Sequence, residues 1–222
     1  MATVKKNDFV EMEYTGRVKE DNMLFDTTEE KVAKENGMHD KDAEYSPVVI
    51  CIGENSMLKG LEEQMIGKET EKEYTFEIGA DRAFGKKDAK LIRMIPTSKF
   101  RQQNIQPMPG LQLNIDGVFG MVKTVSGGRC LVDFNHPLAG KDLIYKVKIN
   151  KVVDDDKEKL KSLLKLHLHV READIEIKEN SASIKLEHSV PKEFQEEFIR
   201  IANRLVPSIK KMEFEVKETK NK

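Results

Sequence analysis

The sequence predicts an α+β chain: a β-rich domain that is interrupted, a small β-rich insert, and a C-terminal α-β-β-α-β unit. Three observations carry this. Residues 9–85 hold alternating strand patterns around two short helices and end in Asp81-Arg82-Ala83-Phe84-Gly85. Residues 138–153 then supply Leu138-Ala139-Gly140-Lys141 and one more strand, Leu143–Val153, which reads as the missing last strand of that domain. After Val153 the composition changes to helical stripes separated by short alternating strands. The predicted domains are therefore 1–85 with 138–153, an insert over 86–137, and a unit over 154–222.

In chain order, Phe9–Val18 largely alternates apolar and polar residues, the period of a half-buried strand. Leu24-Phe25-Asp26-Thr27 follows a polar turn. Thr27-Thr28-Glu29-Glu30 has the form of a capping box opening a short helix that Gly37 stops. Residues 36–46 read as a polar loop, and 48–52 as a strand broken by Gly53. Leu58, Leu61 and Met65 share one helical face, and Gly67 ends that helix. Lys72–Ile78 alternates again, and 79–85 is a loop. In the middle, 90–95, 117–125 and 129–134 read as strands, separated by Pro107-Met108-Pro109-Gly110 and the turn Ser126-Gly127-Gly128. Asp154-Asp155-Asp156 gives a linker and helix cap. Leu160, Leu163, Leu164, His167 and Leu168 then recur at helical spacing. Alternating strands surround Ile175/Ile177 and Ile184/Leu186. Pro191 opens a second helix with the stripe Phe194, Phe198, Ile201 and Leu205, and Pro207 closes it. Met212, Phe214 and Val216 alternate in a last strand.

A net charge of −1 with 35% charged residues argues against duplex nucleic acid as the main partner, because phosphate binding needs a cationic excess. No apolar run approaches the roughly 18 residues of a membrane helix, and the N-terminus lacks a signal-peptide core. A soluble, cytoplasmic protein is expected. Cys51, between Ile50 and Ile52, and Cys130, before Leu131, read as buried free thiols. Of the five histidines, only His167 and His169 are close in sequence, and a pair still lacks a third metal ligand. There is no Walker-type lysine, no GxGxxG and no CxxC. No metal and no cofactor is expected.

The remaining candidates are apolar and aromatic: Tyr14, Phe25, Met57, Leu58, Leu61, Phe84 and Tyr145, with one acid, Asp26, beside Phe25. By periodicity alone they read as core residues. The strings around them, however, are Tyr14-Thr15-Gly16, Leu24-Phe25-Asp26-Thr27, Met57-Leu58-Lys59-Gly60-Leu61-Glu62-Glu63 and Ala83-Phe84-Gly85, followed by Asn135-His136-Pro137-Leu138-Ala139-Gly140. On these the chain resembles the FKBP-type peptidyl-prolyl cis-trans isomerases over about residues 4–153. It looks most like the long archaeal, SlyD-like type, in which a chaperone domain is inserted in the flap.

The resemblance implies an FKBP-like antiparallel sheet wrapped on a short helix, rotamase activity, and a prolyl pocket walled by Tyr14, Phe25 and Asp26. Met57 and Leu58 would turn their backbone to the substrate, and Leu61 would form the floor. Phe84 would sit by the carbonyl of the twisting bond, with Leu138 and Tyr145 closing the pocket. Leu61 stands where small family members often have tryptophan, and Phe84 where many have tyrosine, so tight macrolide binding is less expected than catalysis. Asp26 is either a positioning group or a buried acid satisfied by a neighbour. The insert is expected to expose Ile92, Met94, Ile95, Phe100, Met108, Phe119 and Met121 in part, some of them also serving as its core, and so to hold unfolded polypeptides. The expected partners are proline-containing and unfolded chains. A non-catalytic scaffold recruiting partners through the C-terminal unit is the rival reading. The C-terminal stripe fits either a self-sufficient core or a homodimer face through 154–222. The chain lacks the His- and Cys-rich tail of many SlyD-type proteins, so nickel handling is not implied.

Overall fold

A computed structural model describes residues 1–115 and 117–217. The first segment contains β1 (Phe9–Val18), β2 (Leu24–Thr27), α1 (Glu30–Glu35), β3 (Val48–Cys51), α2 (Lys59–Met65) and β4 (Lys72–Ile78). The middle contains β5 (Ile92–Pro96), α3 (Thr97–Gln102), β6 (Gln112–Ile115), β7 (Val118–Ser126) and β8 (Arg129–Asp133). Then come β9 (Leu143–Val153), α4 (Asp156–Leu168), β10 (Asp174–Lys178), β11 (Ser181–Leu186), α5 (Lys192–Leu205) and β12 (Lys211–Val216). The protein is thus a mixed α and β structure in which all but one of the strand pairings are antiparallel.

β1 organises the first sheet because its ten residues are long enough to pair on both edges. β3 and β2 lie one after the other along one edge, and β9 runs along the other and carries β4. Alternation sends Val10, Met12 and Tyr14 to one face, where they pack with Ile50, Leu61, Met65, Ile78, Val147 and Ile149 under α2. The chain therefore leaves this sheet after β4 and returns to its interior as β9.

The helix expected after Thr27 forms, but the capping box does not. Its N-cap is Glu29, without a side-chain cap bond. The threonines are drawn into β-pairing instead: Tyr14 N–H donates to Thr28 Oγ1 at 2.8 Å, and the Thr15 and Thr27 hydroxyls meet at 2.9 Å.

The middle strands form a separate four-stranded sheet in the order β5-β8-β7-β6. α3 and β6 go beyond the elements the sequence predicts; α3 has six residues and β6 four, below the length at which periodicity declares itself. α3 exists to place Phe100, which is 3% exposed against Val122, Cys130 and Val132. Phe100 is therefore core, contrary to its expected place in an exposed patch.

The C-terminal strands form a third sheet, with α5 crossing between the parallel pair β11 and β12. Asp155 caps α4, its Oδ1 accepting from Glu158 N–H at 2.7 Å. The apolar cluster of this unit is not its own alone. Phe9, Cys51 and Val153 from the back of the first sheet pack with Leu160, Leu163, Leu164 and Phe198, and half-buried Val49 joins them. Of the α5 stripe, Phe198 is buried while Phe194 stays 57% exposed. Glu54 and Arg204 add a two-bonded ion pair at 2.6 Å.

Candidate active site

The centre of the site is a place without a side chain. Gly16 of β1 pairs with Asp26 of β2 on one side and Tyr145 of β9 on the other. A Cβ there would lie 2.6 Å from the Phe25 ring and 3.1 Å from that of Tyr145, so glycine is what lets Phe25 lie across the strand. Phe25 meets Tyr145 edge-on at 5.6 Å between centroids, and Tyr145 lies 5.8 Å from Tyr14. Tyr14 donates its hydroxyl hydrogen to Asp26 Oδ2 at 2.8 Å. Burial raises the pKa of both tyrosines, and the Asp26 charge adds to it, so both stay protonated. Asp26 itself is solvent-exposed; of the two readings made of it, a buried acid is ruled out by this exposure, although its partner is a tyrosine.

Below the rings Leu61 is fully buried, and Leu138 is 7% exposed. Phe25, Met57, Leu58 and Phe84 are half-buried and pack on the same cluster. Eight of the nine residues expected at the pocket thus share one apolar cluster, and Asp26 is tied to them through Tyr14.

One contributor was missed in the sequence. Glu62, 3% exposed, accepts from the N–H groups of Gly53, Asn55 and Met57 at 2.7, 3.3 and 2.8 Å. Its carboxylate shapes the loop that carries Met57 and Leu58 into the first turn of α2. The Met57 amide is therefore not free to face a ligand, and the Leu58 carbonyl accepts from Leu61 and Glu62. Of the Met57 and Leu58 amides, that of Leu58 is left over by these bonds. The sequence carries no signal for it, because a glutamate in the first turn of a helix looks the same solvated as buried.

Phe84 reaches beyond the pocket. Its ring stacks on His136 at 4.2 Å with 5° between planes. This stack stands where the chain leaves and re-enters the first sheet. Gly140 N–H donates to Gly85 C=O at 2.7 Å, and the Asn135 amide both accepts from Asp88 N–H and donates to Asp88 C=O. The two crossings are therefore clamped together.

Register sorts the residues expected in the exposed patch. Ile92 lies opposite Asp133, which lies opposite Met121; Met94 lies opposite Leu131. Residues facing each other across strands share a face, so Ile92, Met94, Met121 and, two residues earlier, Phe119 line the open side. Met94 and Phe119 are 65% and 62% exposed there. Ile95 falls on the opposite side, against the Phe100 cluster, and Met108 is exposed in the loop before β6. Phe119 and Met121 border an apolar cleft of about 700 Å³, together with Val118, Phe134 and, from the first segment, Met23. Burial would raise the pKa of Asp133 in this cleft, but hydrogen bonds from Asn135 and the nearby Lys87 and Lys123 outweigh it and hold the carboxyl below its ordinary range.

Cys51 and Cys130 are both buried free thiols. Among the described residues no group of three His, Cys, Asp or Glu side chains is placed to hold a metal ion. No helix among them is long and apolar enough to cross a membrane.

Fold and site together define a mixed α and β protein in which Tyr14, Phe25 and Tyr145 cluster at the centre of an antiparallel sheet. A family model described as FKBP26, IF domain matches residues 93–138. The chain is 33% identical to a short-type peptidyl-prolyl cis-trans isomerase of Methanocaldococcus jannaschii, over 70% of this chain and 98% of that protein. It is 31% identical to a probable FKBP-type 16 kDa peptidyl-prolyl cis-trans isomerase of Pseudomonas fluorescens, over 50% of this chain and 75% of the relative. It is 28% identical to the FKBP-type isomerase SlyD of Vibrio cholerae, over 47% and 53%. The chain belongs to the FKBP-type peptidyl-prolyl cis-trans isomerases and is an enzyme of that class, with proline-containing polypeptides as its substrates.

Proposed function

We propose that the pocket around Phe25 catalyses prolyl isomerisation and that the open face of the middle sheet, acting as a chaperone surface, holds unfolded chains beside it. Residues 1–85 with 138–153 would then be the isomerase domain, 86–137 the chaperone insert, and 154–222 a unit braced on the back of the first sheet. The convergence of Tyr14, Phe25, Tyr145, Leu61 and Phe84 on one apolar cluster carries this reading.

Rotation about an amide costs roughly 18–20 kcal/mol because resonance must be broken. The twisted prolyl amide has lost its double-bond character and much of its charge separation. A water-poor aromatic wall suits it better than either planar isomer does. No covalent step is needed, only tighter binding of the twisted form. Tyr14, its hydroxyl hydrogen committed to Asp26, keeps the acid in a fixed place at the rim. The Leu58 amide is a donor for the substrate backbone.

Replacing Phe25→Ala or Phe84→Ala is expected to lower kcat/KM on a short proline peptide by about tenfold or more, since each 1.36 kcal/mol of lost transition-state preference is a factor of ten. Both side chains are half-buried, so the fold survives the change. Unchanged rates in both variants would remove the pocket assignment.

A further inference from the structure

The cleft on the open sheet face is apolar at its floor but cationic round its edge. Lys87, Lys123 and Lys141 all border it. Their side chains are 48%, 41% and 29% exposed, so their stems cover the wall while the ammonium groups stay in water. Among the described residues, Asp133 is the one carboxylate of the lining, with a side chain 7% exposed. Its Oδ1 already accepts from the Asn135 backbone and side chain. Lys87 and Lys123 approach its Oδ2 to only 3.6 and 3.9 Å, and Lys141 lies 3.9 Å from Asp21 outside the lining. Among the described residues, two carboxylates, Asp133 and Asp21, face three ammonium groups, which leaves the rim with a positive excess.

We propose that this cleft selects unfolded polypeptide segments whose apolar residues are flanked by Asp or Glu. The proposal rests on the reading of the open face as a docking surface. The apolar side chains of an extended segment lie against Phe119, Met121 and Val118, and the flanking carboxylates reach the lysines at the rim. A segment flanked by Lys or Arg meets like charge at the same positions and is rejected. The charged part of the selection is screened by salt, and the apolar part is not.

The test is a binding titration of the full chain with short labelled peptides that share one apolar centre and differ only in flanking Asp, Ser or Lys. Asp-flanked peptides are expected to bind about fivefold more tightly than Lys-flanked ones at low salt, the scale of one or two exposed ion pairs. The difference should collapse near 1 M salt, where the Debye length is about 3 Å. The triple variant Lys87→Gln/Lys123→Gln/Lys141→Gln should lose the preference while keeping affinity for the Ser-flanked peptide. Because that variant places changes beside Asp133, the salt series on the unaltered chain stands as an independent reading. Equal binding of Asp- and Lys-flanked peptides, with Phe119→Ser weakening both, would overturn the charge selection and leave the docking surface standing. Failure of every peptide to bind, or binding indifferent to Phe119→Ser, would overturn the docking surface and the selection with it.

Discussion

At the scale of single residues, the site is arranged by two groups that touch no ligand. Gly16 leaves the space that the Phe25 ring fills, and Glu62 gathers three backbone donors into one buried carboxylate. Removing a hydrogen-bonded buried charge strands its partners, which costs roughly 1–3 kcal/mol per unsatisfied group. Glu62→Ala is therefore expected to destabilise the chain by about 3 kcal/mol or more in denaturant unfolding and to lower isomerase activity through the loosened loop, with Glu62→Gln intermediate. A variant with unaltered stability would show that the loop holds itself. Cys51 supports a second expectation. Burial, then the charges of Glu54 and Glu62, pushes its thiol from 9.0 up to about 12. A raised folded-state pKa means the proton is held more tightly in the native state. Its stabilisation is therefore complete below 9.0 and lost as pH rises from there through about 12. Unfolding midpoints across that range should fall more steeply for the native chain than for Cys51→Ala, and equal slopes would contradict it. Phe25 and Asp26 could be found in the sequence by their family string. Glu62 could not, because a buried carboxylate in a helix's first turn looks the same as a solvated one.

At the scale of elements, legibility followed length and alternation. β1, β4 and β9 carry long two-period patterns and declared themselves, as did α5 through its apolar stripe. α3 buries one residue, Phe100, and β6 has four residues between loops, so neither produced a pattern. The clamp built by Asn135, Asp88, Gly85 and Gly140 was equally hidden, since its bonds join residues about fifty positions apart. The relation of α4 to the first sheet was hidden for the same reason. Phe9 and Cys51 read simply as strand residues, yet they lie under Leu160 and Leu163. A fully buried large apolar side chain contributes about 1.5–3 kcal/mol, whereas an exposed ion pair such as Lys165 with Glu44 gives at most about 1 kcal/mol. The apolar contact therefore holds the unit in place. Truncation after Val153 should bare Phe9, Val49, Cys51 and Val153, lower the unfolding midpoint and promote self-association. A truncated chain as stable and monodisperse as the full one would show that the shared cluster is dispensable.

At the scale of the whole molecule, the proposed prolyl pocket and the proposed docking face belong to different sheets joined by a short clamped neck. Phe84 ends one strand of that neck at the pocket and stacks on His136, which borders the cleft. A segment held on the open face, as proposed, would thereby be kept at high local concentration beside the pocket. On that proposal a short proline peptide would need only the pocket, and a refolding protein would use both. The most direct measurement compares kcat/KM on a short proline peptide with kcat/KM on a proline-limited refolding protein, for the unaltered chain and for Phe119→Ser/Met121→Ser. An unchanged peptide rate is expected, with a loss on the refolding protein of about a hundredfold, the low end of what tethering supplies. Equal effects on both substrates, or none on either, would contradict it.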